Sequence, residues 1–404
     1  MQASAGQLQG GGDRSDVLPA MIDVLIPAFN AAETIETAVA SIQRQTITDI
    51  RIIVVDDGST DATPQLLAEI REKDPRVQII SRPNGGIVDA LNEGLKACTA
   101  EFVARHDADD LADANRFAVQ IDYLNAHPEC VAVSSYARHI NKDGQATGSL
   151  ALFPSPDQAD PKRVPSREPY LLHPFLMVRR RSIVEVGGYR YAHHSEDTEL
   201  YWRLREVGKL HIIPAVLGDY RYHAQSITSR SCLNGRLSAI NSQLAAVAAL
   251  RRARGGEPIE FSRQNIKLMS GVGSAGSICD IASQGLSSEE RTWLAAAFAA
   301  KLLELTAYRP YELDLADCKF ISQALSEPRL KLTKDNVREI RRSRSVAVAR
   351  LFRTGHARCA AQLMTPETFL QSFWRLAVQT LARLLPEGTR RAIRAIRASQ
   401  LARR

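Results

Sequence analysis

The chain has 404 residues, 45% of them hydrophobic and 24% charged, with a net charge of +7. That balance suits a globular protein long enough for one large domain and a second unit. No stretch approaches the roughly 18 uninterrupted apolar residues of a spanning helix, and six scattered cysteines without a C-x-x-C pair argue against zinc knuckles and a disulfide scaffold.

Residues 1–20 are rich in Gly, Gln and Ser and lack the basic start and apolar core of a secretion signal. They read as a flexible tail, and a reducing, cytoplasmic setting is the expectation. Ile22-Asp23-Val24-Leu25-Ile26-Pro27 predicts a buried strand. A helix follows over 33–44, then a β-branched strand over 50–55 that stops at Asp56-Asp57-Gly58. The spacing predicts a helix over 61–73, with Asp61 as its cap and Pro64 in its first turn. Strands over 77–81, 102–105 and 131–136 alternate with helices over 86–97 and 115–126. Repeated β-α-β units predict an α/β fold, a mostly parallel sheet between helices, with ligands beyond the carboxyl ends of the strands.

Beyond Tyr136 the alternation weakens. Asn141-Lys142-Asp143-Gly144 reads as a hairpin turn, and the five prolines within 153–169 as a long loop over the site. A helix is expected over 197–207 and short strands near 210–213. From about Asn234 the chain is helical in character. Residues 1–230 are net acidic and 231–404 net basic, which places a boundary between the two parts. The expected organisation is a tail (1–20), a sheet domain (21–230), a helical C-terminal domain (231–366) and a basic amphipathic tail (367–404).

The chemistry-bearing signal is Arg105-His106-Asp107-Ala108-Asp109-Asp110 at a strand end. Carboxylates two residues apart on extended backbone can converge on one hard divalent cation, Mn²⁺ or Mg²⁺. Such an ion compensates a diphosphate leaving group. Acidic pairs also cap helices, which is the plain alternative. Three further clusters sit at strand ends: Pro27-Ala28-Phe29-Asn30, Asp56-Asp57-Gly58-Ser59-Thr60-Asp61 and Asn84-Gly85-Gly86.

Together with Ala90-Leu91-Asn92-Glu93-Gly94, Arg116-Phe117, Gln120, His173-Pro174, Val186-Gly187-Gly188-Tyr189, Glu196-Asp197, Tyr201-Trp202-Arg203-Leu204 and Tyr220-Arg221-Tyr222-His223, this set resembles the family 2 glycosyltransferases of GT-A fold. Among these it is most similar to bacterial enzymes of surface-polysaccharide assembly. The resemblance spans residues 21–230. It implies inverting transfer of a sugar from a nucleoside-diphosphate donor, a UDP-sugar, to a glycan or lipid-linked acceptor. On that basis Asp56 would accept from the uracil N–H, beside a loop formed by Pro27, Phe29 and Asn30. Asn84 and Gly85 would let backbone approach the nucleotide. Asp107 would reach the ribose, and Asp109, with Asp107 and His223, would hold the metal. His173 would lie near the sugar pocket, Asp197 would be the general base, and Glu196 would position the acceptor. One departure is Glu199, where the family often has a second Asp.

Other readings stay local. Asp110 is expected to cap the following turn and His106 to be a satisfied core histidine. Asp57 is expected to form the turn before Gly58. Arg179, Arg180 and Arg181 are either solvated charge or a phosphate or acceptor contact. Tyr201, Trp202 and Leu204 are expected to pack their helix on the core. The apolar stripe from Phe369 to Leu385 with its trailing arginines fits either peripheral contact with the inner face of a membrane or packing on its own domain. No nucleic-acid recognition motif accompanies the basic charge. The rival functions are a non-catalytic nucleotide-sugar-binding or assembly subunit that kept the fold, and a nucleotidyltransferase. The second would need a Gly-rich, Lys-containing phosphate loop that Pro27-Ala28-Phe29-Asn30 does not supply.

Overall fold

A computed structural model describes residues 21–222, 232–308, 312–369 and 371–372. The first part alternates as the sequence predicts: β1 (Ile22–Ala28), α1 (Ile35–Gln43), β2 (Ile50–Asp56), α2 (Thr63–Lys73), β3 (Val77–Ser81), α3 (Ile87–Ala97), β4 (Phe102–Arg105), β5 (Leu111–Ala112) and α4 (Arg116–Ala126). It continues with β6 (Cys130–Ile140), β7 (Ala146–Ala151), β8 (Met177–Arg179), α5 (Arg180–Glu185), α6 (Glu196–Val207) and β9 (Lys209–Arg221).

The strands form one mixed sheet in the order β3-β2-β1-β4-β8-β6-β9-β5, with β7 paired to β6. β3, β2, β1 and β4 run parallel, while β8 lies antiparallel to both β4 and β6. Period-2 alternation sorts β1 onto two faces. Ile22, Val24 and Ile26 pack with Ile35 and Val39 of α1, Leu67 of α2 and Phe117 of α4. Leu25, with Ile53 and Val55 of β2, packs with Val88 and Leu91 of α3 and Leu200 and Leu204 of α6. Helix α3 lies so close to the sheet that a Cβ on Gly94 would sit 2.1 Å from Leu25 Cδ1. The hairpin at Asn141 to Gly144 forms between β6 and β7 as predicted. This is the mostly parallel α/β sheet between helices that the sequence predicts, followed by further helices.

Those helices are α7 (Cys232–Ala253), α8 (Arg263–Ser270), α9 (Ala275–Ala282), α10 (Ser288–Tyr308), α11 (Leu315–Leu325), α12 (Lys334–Arg353) and α13 (Ala357–Leu363). They share a separate core in which Leu294, Phe298, Leu302 and Leu305 of α10 are fully buried. Val164, Ala192 and Trp202 from the first part join it. Among the described residues no helix is long and apolar enough to cross a membrane.

Several local expectations change. β9 is one long strand, not short pieces near 210–213, because its pairing with β6 extends to Ile140 and Arg221. The two-residue β5 was not foreseen, since it exists only through its pairing with β9. Ala62, not Asp61, caps α2. Asp61 instead accepts from Thr63 N at 3.0 Å and Ala32 N at 3.1 Å, tying two loops together. The proline-rich segment 153–169 leans on the C-terminal helices: Val164 enters their core, Arg163 pairs with Glu339, and Glu168 pairs with Lys301.

Candidate functional site

Four loops meet where β1, β2, β3 and β4 end. Asn30 has a left-handed φ of 50°. Its Oδ1 accepts from Thr60 N at 2.8 Å and its N–H donates to Ser59 Oγ at 2.9 Å, which joins the first loop to the second. Pro27 is buried in β1 and Phe29 projects half-exposed beside it. Asp56 is buried at the end of β2, where Oδ1 accepts from Ser59 N at 3.0 Å. Gly58 follows at φ 76°, and a Cβ there would lie 2.6 Å from Asn84 N. Only glycine satisfies both the backbone angle and the approach of the third loop.

Asp57 does more than form a turn. It is buried, pairs with Arg82, and accepts from Gly85 N at 3.1 Å and Gly86 N at 2.7 Å. Asp57 thus takes the amides of Gly85 and Gly86 and fixes the shape of the third loop beside Asn84. The same cluster continues outward. Asp89 at the start of α3 takes Arg82, the Tyr191 hydroxyl and Arg263 of α8, and Arg263 also donates to Gly85 O at 3.2 Å.

The acidic loop after β4 carries the densest charge. Ligand oxygens of Asp107, Asp109 and Asp110 all lie within 4.8 Å of one another. Asp107 pairs with the buried Arg105. Asp110 does not cap a turn. It points inward, with Oδ1 accepting from Arg221 N at 2.7 Å and Oδ2 buried without a hydrogen-bond partner. Burial first, then the charges of Asp107 and Asp109, push its proton affinity well above the ordinary carboxylate range. Three converging carboxylates with one oxygen left unpartnered fit a hard divalent cation. Arg221 Nε holds the loop by donating to Asp109 O at 2.7 Å. His106 is a satisfied core histidine, as expected. It is fully buried, with Nε2 3.2 Å from Asp110 O and Nδ1 3.3 Å from Arg116, and burial holds it neutral.

Glu196 and Asp197 open α6, partly buried. Asp197 Oδ1 accepts from Thr198 N at 2.7 Å, and Glu196 Oε2 is buried without a hydrogen-bond partner. Burial raises the proton affinity of both carboxyls. The Asp197 charge adds to the effect at Glu196, and the Glu168 charge adds to it at Asp197. His173 is buried with Nε2 2.8 Å from the Tyr189 hydroxyl, and burial, then Arg105, keeps it neutral. Glu199 grips Arg203 and Arg190, which explains the departure from the family pattern as a structural ion pair. Arg179 and Arg180 donate to backbone carbonyls of Cys130, Leu124 and Ala100, while Arg181 is exposed. Tyr201, Trp202 and Leu204 are buried in the cores as expected. His223, and most of the basic tail, lie outside the described residues.

Two features escaped the sequence. Arg105 ends an apolar strand, yet its guanidinium pairs with Asp107 and acts electrostatically on Asp110, His173, Glu196 and Asp197. The signal was available, because a buried arginine beside three acids needs a purpose. The other is α7, which grips the loop that launches α6. Ser195 Oγ donates to Ser238 O at 2.9 Å, Ser238 Oγ donates to His194 O at 3.1 Å, and Asn241 Nδ2 donates to His193 O at 3.2 Å. His194 sits there at φ 61°, a conformation costly for a non-glycine residue unless its surroundings hold it.

Residues 23–187 match the family described as Glycosyl transferase family 2. Chondroitin synthase of Escherichia coli is 27% identical over 211 residues, which cover 51% of this chain and 29% of that protein. The amylovoran biosynthesis glycosyltransferase AmsE of Erwinia amylovora is 29% identical over 214 residues, 52% of this chain and 79% of that one. The structure of S. aureus TarS 1-349 in complex with UDP-GlcNAc aligns with a TM-score of 0.47 at 17% identity, covering 83% of this chain and 92% of that one. The match thus spans under a third of the chondroitin synthase.

Proposed function

We propose that this chain, whose residues 23–187 match Glycosyl transferase family 2, transfers a sugar from a UDP-sugar, with inversion, to a glycan or lipid-linked acceptor in bacterial surface-polysaccharide synthesis. The observation that carries this reading is Arg105. One buried guanidinium pairs with Asp107 of the acidic triad and acts electrostatically on the Glu196–Asp197 pair, which supports reading the two groups as one site. Residues 21–230 form the donor-binding unit and 231–366 a helical unit that braces it. The basic stripe beyond residue 367 supports contact with an anionic inner membrane face.

In this mechanism Asp56, at the end of β2, accepts from the uracil N–H, beside Pro27, Phe29 and Asn30. Asp107 orients the ribose. Asp109, Asp107 and Asp110 hold Mn²⁺ or Mg²⁺, with His223 as a further ligand. When bound, the cation supplies positive charge against the diphosphate leaving group. His173, fixed by Tyr189, lines the sugar pocket. Asp197 takes the proton from the acceptor hydroxyl as it attacks the anomeric carbon from the face opposite the diphosphate, and Glu196 orients that hydroxyl. A carboxyl with raised proton affinity is the stronger base for this step. The test is transfer and donor hydrolysis with UDP-, GDP- and CMP-sugars, with and without Mn²⁺. Asp109→Ala is expected to abolish metal-dependent nucleotide binding with the fold intact. Full turnover in excess chelator overturns the metal assignment.

A further inference from the structure

A second concave site lies in the helical part. A cavity of about 990 Å³ is lined by Arg163, Asp335, Arg338, Glu339, Arg341, Arg342 and Gln371. Its charge is net positive, and the acids do not neutralise it. Glu339 already pairs with Arg163 at 2.8 Å. Arg338 and Arg342 project into solvent one helical turn apart on α12, with no ion-pair partner among the described residues. Arg341 pairs with Glu367 at 2.6 Å, yet its Nε, like that of Arg344 one turn on, is buried without a hydrogen-bond partner. A buried guanidinium donor left without a partner is costly, and an oxyanion would satisfy it.

The cleft is also close to the chemistry. Arg163 lines it, and five residues along the same segment Glu168 accepts from Gln243 Nε2 at 3.2 Å, on the same α7 that holds the 193–195 loop ahead of Glu196 and Asp197. Five residues reach at most about 18 Å. A concavity of this size suits a chain bearing separate oxyanions, each meeting a guanidinium fork, better than it suits a flat anionic surface.

We propose that this cleft binds an anionic glycan strand through its carboxylate or phosphate groups, holding the acceptor so that its growing end reaches Glu196 and Asp197. That the strand is the acceptor rests on the transferase reading; the anion binding does not. The experiment uses the full chain and its Arg338→Gln/Arg342→Gln double variant. Fluorescent oligogalacturonate, inorganic polyphosphate, neutral dextran and phosphatidylglycerol vesicles serve as probes, with UDP binding in Mn²⁺ followed in parallel. The parent is expected to bind the two polyanions and not dextran, with oligogalacturonate and polyphosphate separating carboxylate from phosphate preference. The double variant is expected to lose roughly tenfold or more in polyanion affinity, with UDP binding unchanged. Both arginines are exposed, so an unaltered melting temperature accompanies that loss. Equal polyanion affinity in the two proteins, or a loss confined to vesicles, overturns the proposal. Loss of UDP binding in the parent strikes the transferase reading and leaves the cleft standing.

Discussion

Replacing Glu196 by Gln and Asp197 by Asn, one at a time, separates the base from its neighbour and exposes what the pair costs the fold. Burial raises the proton affinity of both carboxyls above the unfolded value, so the folded state keeps protons that the unfolded chain has lost. Stability therefore falls as pH rises from the ordinary carboxylate range through the raised folded values, and levels off above them. One unit of displacement is worth about 1.4 kcal/mol. Partial exposure reduces that to about 1 kcal/mol for Glu196, or roughly 2 °C in melting temperature. Glu196→Gln lacks this titration, so its melting temperature relative to the parent should rise between acidic and mildly alkaline pH. Transfer should move the other way, with an acid limb above the ordinary carboxylate range because the base must be ionised. Asp197→Asn should slow transfer by roughly 10²–10⁴-fold with UDP affinity unchanged, whereas Glu196→Gln should lose far less. Thermal scans across pH, transfer rates and UDP calorimetry on both variants decide it. A dead Glu196→Gln beside an active Asp197→Asn assigns the base to Glu196. Normal transfer in both reduces the pair to a helix start.

Asp56→Ala should weaken UDP binding and flatten the preference for UDP over GDP and CMP, read by calorimetry in Mn²⁺; tighter parental binding of GDP refutes the uracil assignment. Ser238→Ala combined with Asn241→Ala removes two hydrogen bonds from α7 to the 193–195 loop. It should cost about 1–3 kcal/mol in stability and lower kcat more than UDP affinity, and an unchanged kcat would show that α7 does not position the pair. Truncation after Pro366 should reduce flotation with anionic liposomes, and equal flotation of both lengths retires the membrane contact.

Much of the site was legible in the sequence because its parts lie at the ends of short, strongly patterned strands. The β-branched run over 50–55 stops where Asp56 must emerge, and the apolar strand before His106 delivers the three acids to one edge. What period and composition could not decide is how a side chain is spent once distant segments meet. Asp110 looked like a turn cap, but β9 brings Arg221 N to one of its oxygens and leaves the other buried in the triad. Gly85 and Gly86 read as a loop that backbone can approach closely, and only the fold shows that Asp57 takes their amides. Arg179 and Arg180 read as solvated charge or an anion contact, but backbone carbonyls brought close by packing claim them. The electrostatic reach of Arg105 to Glu196 and Asp197, and the grip of α7 on the 193–195 loop, depend on partners tens of residues away. Local sequence sets the torsions and faces of each element, whereas the pairing of buried charges is set only when tertiary packing excludes water and leaves each group the partners within reach.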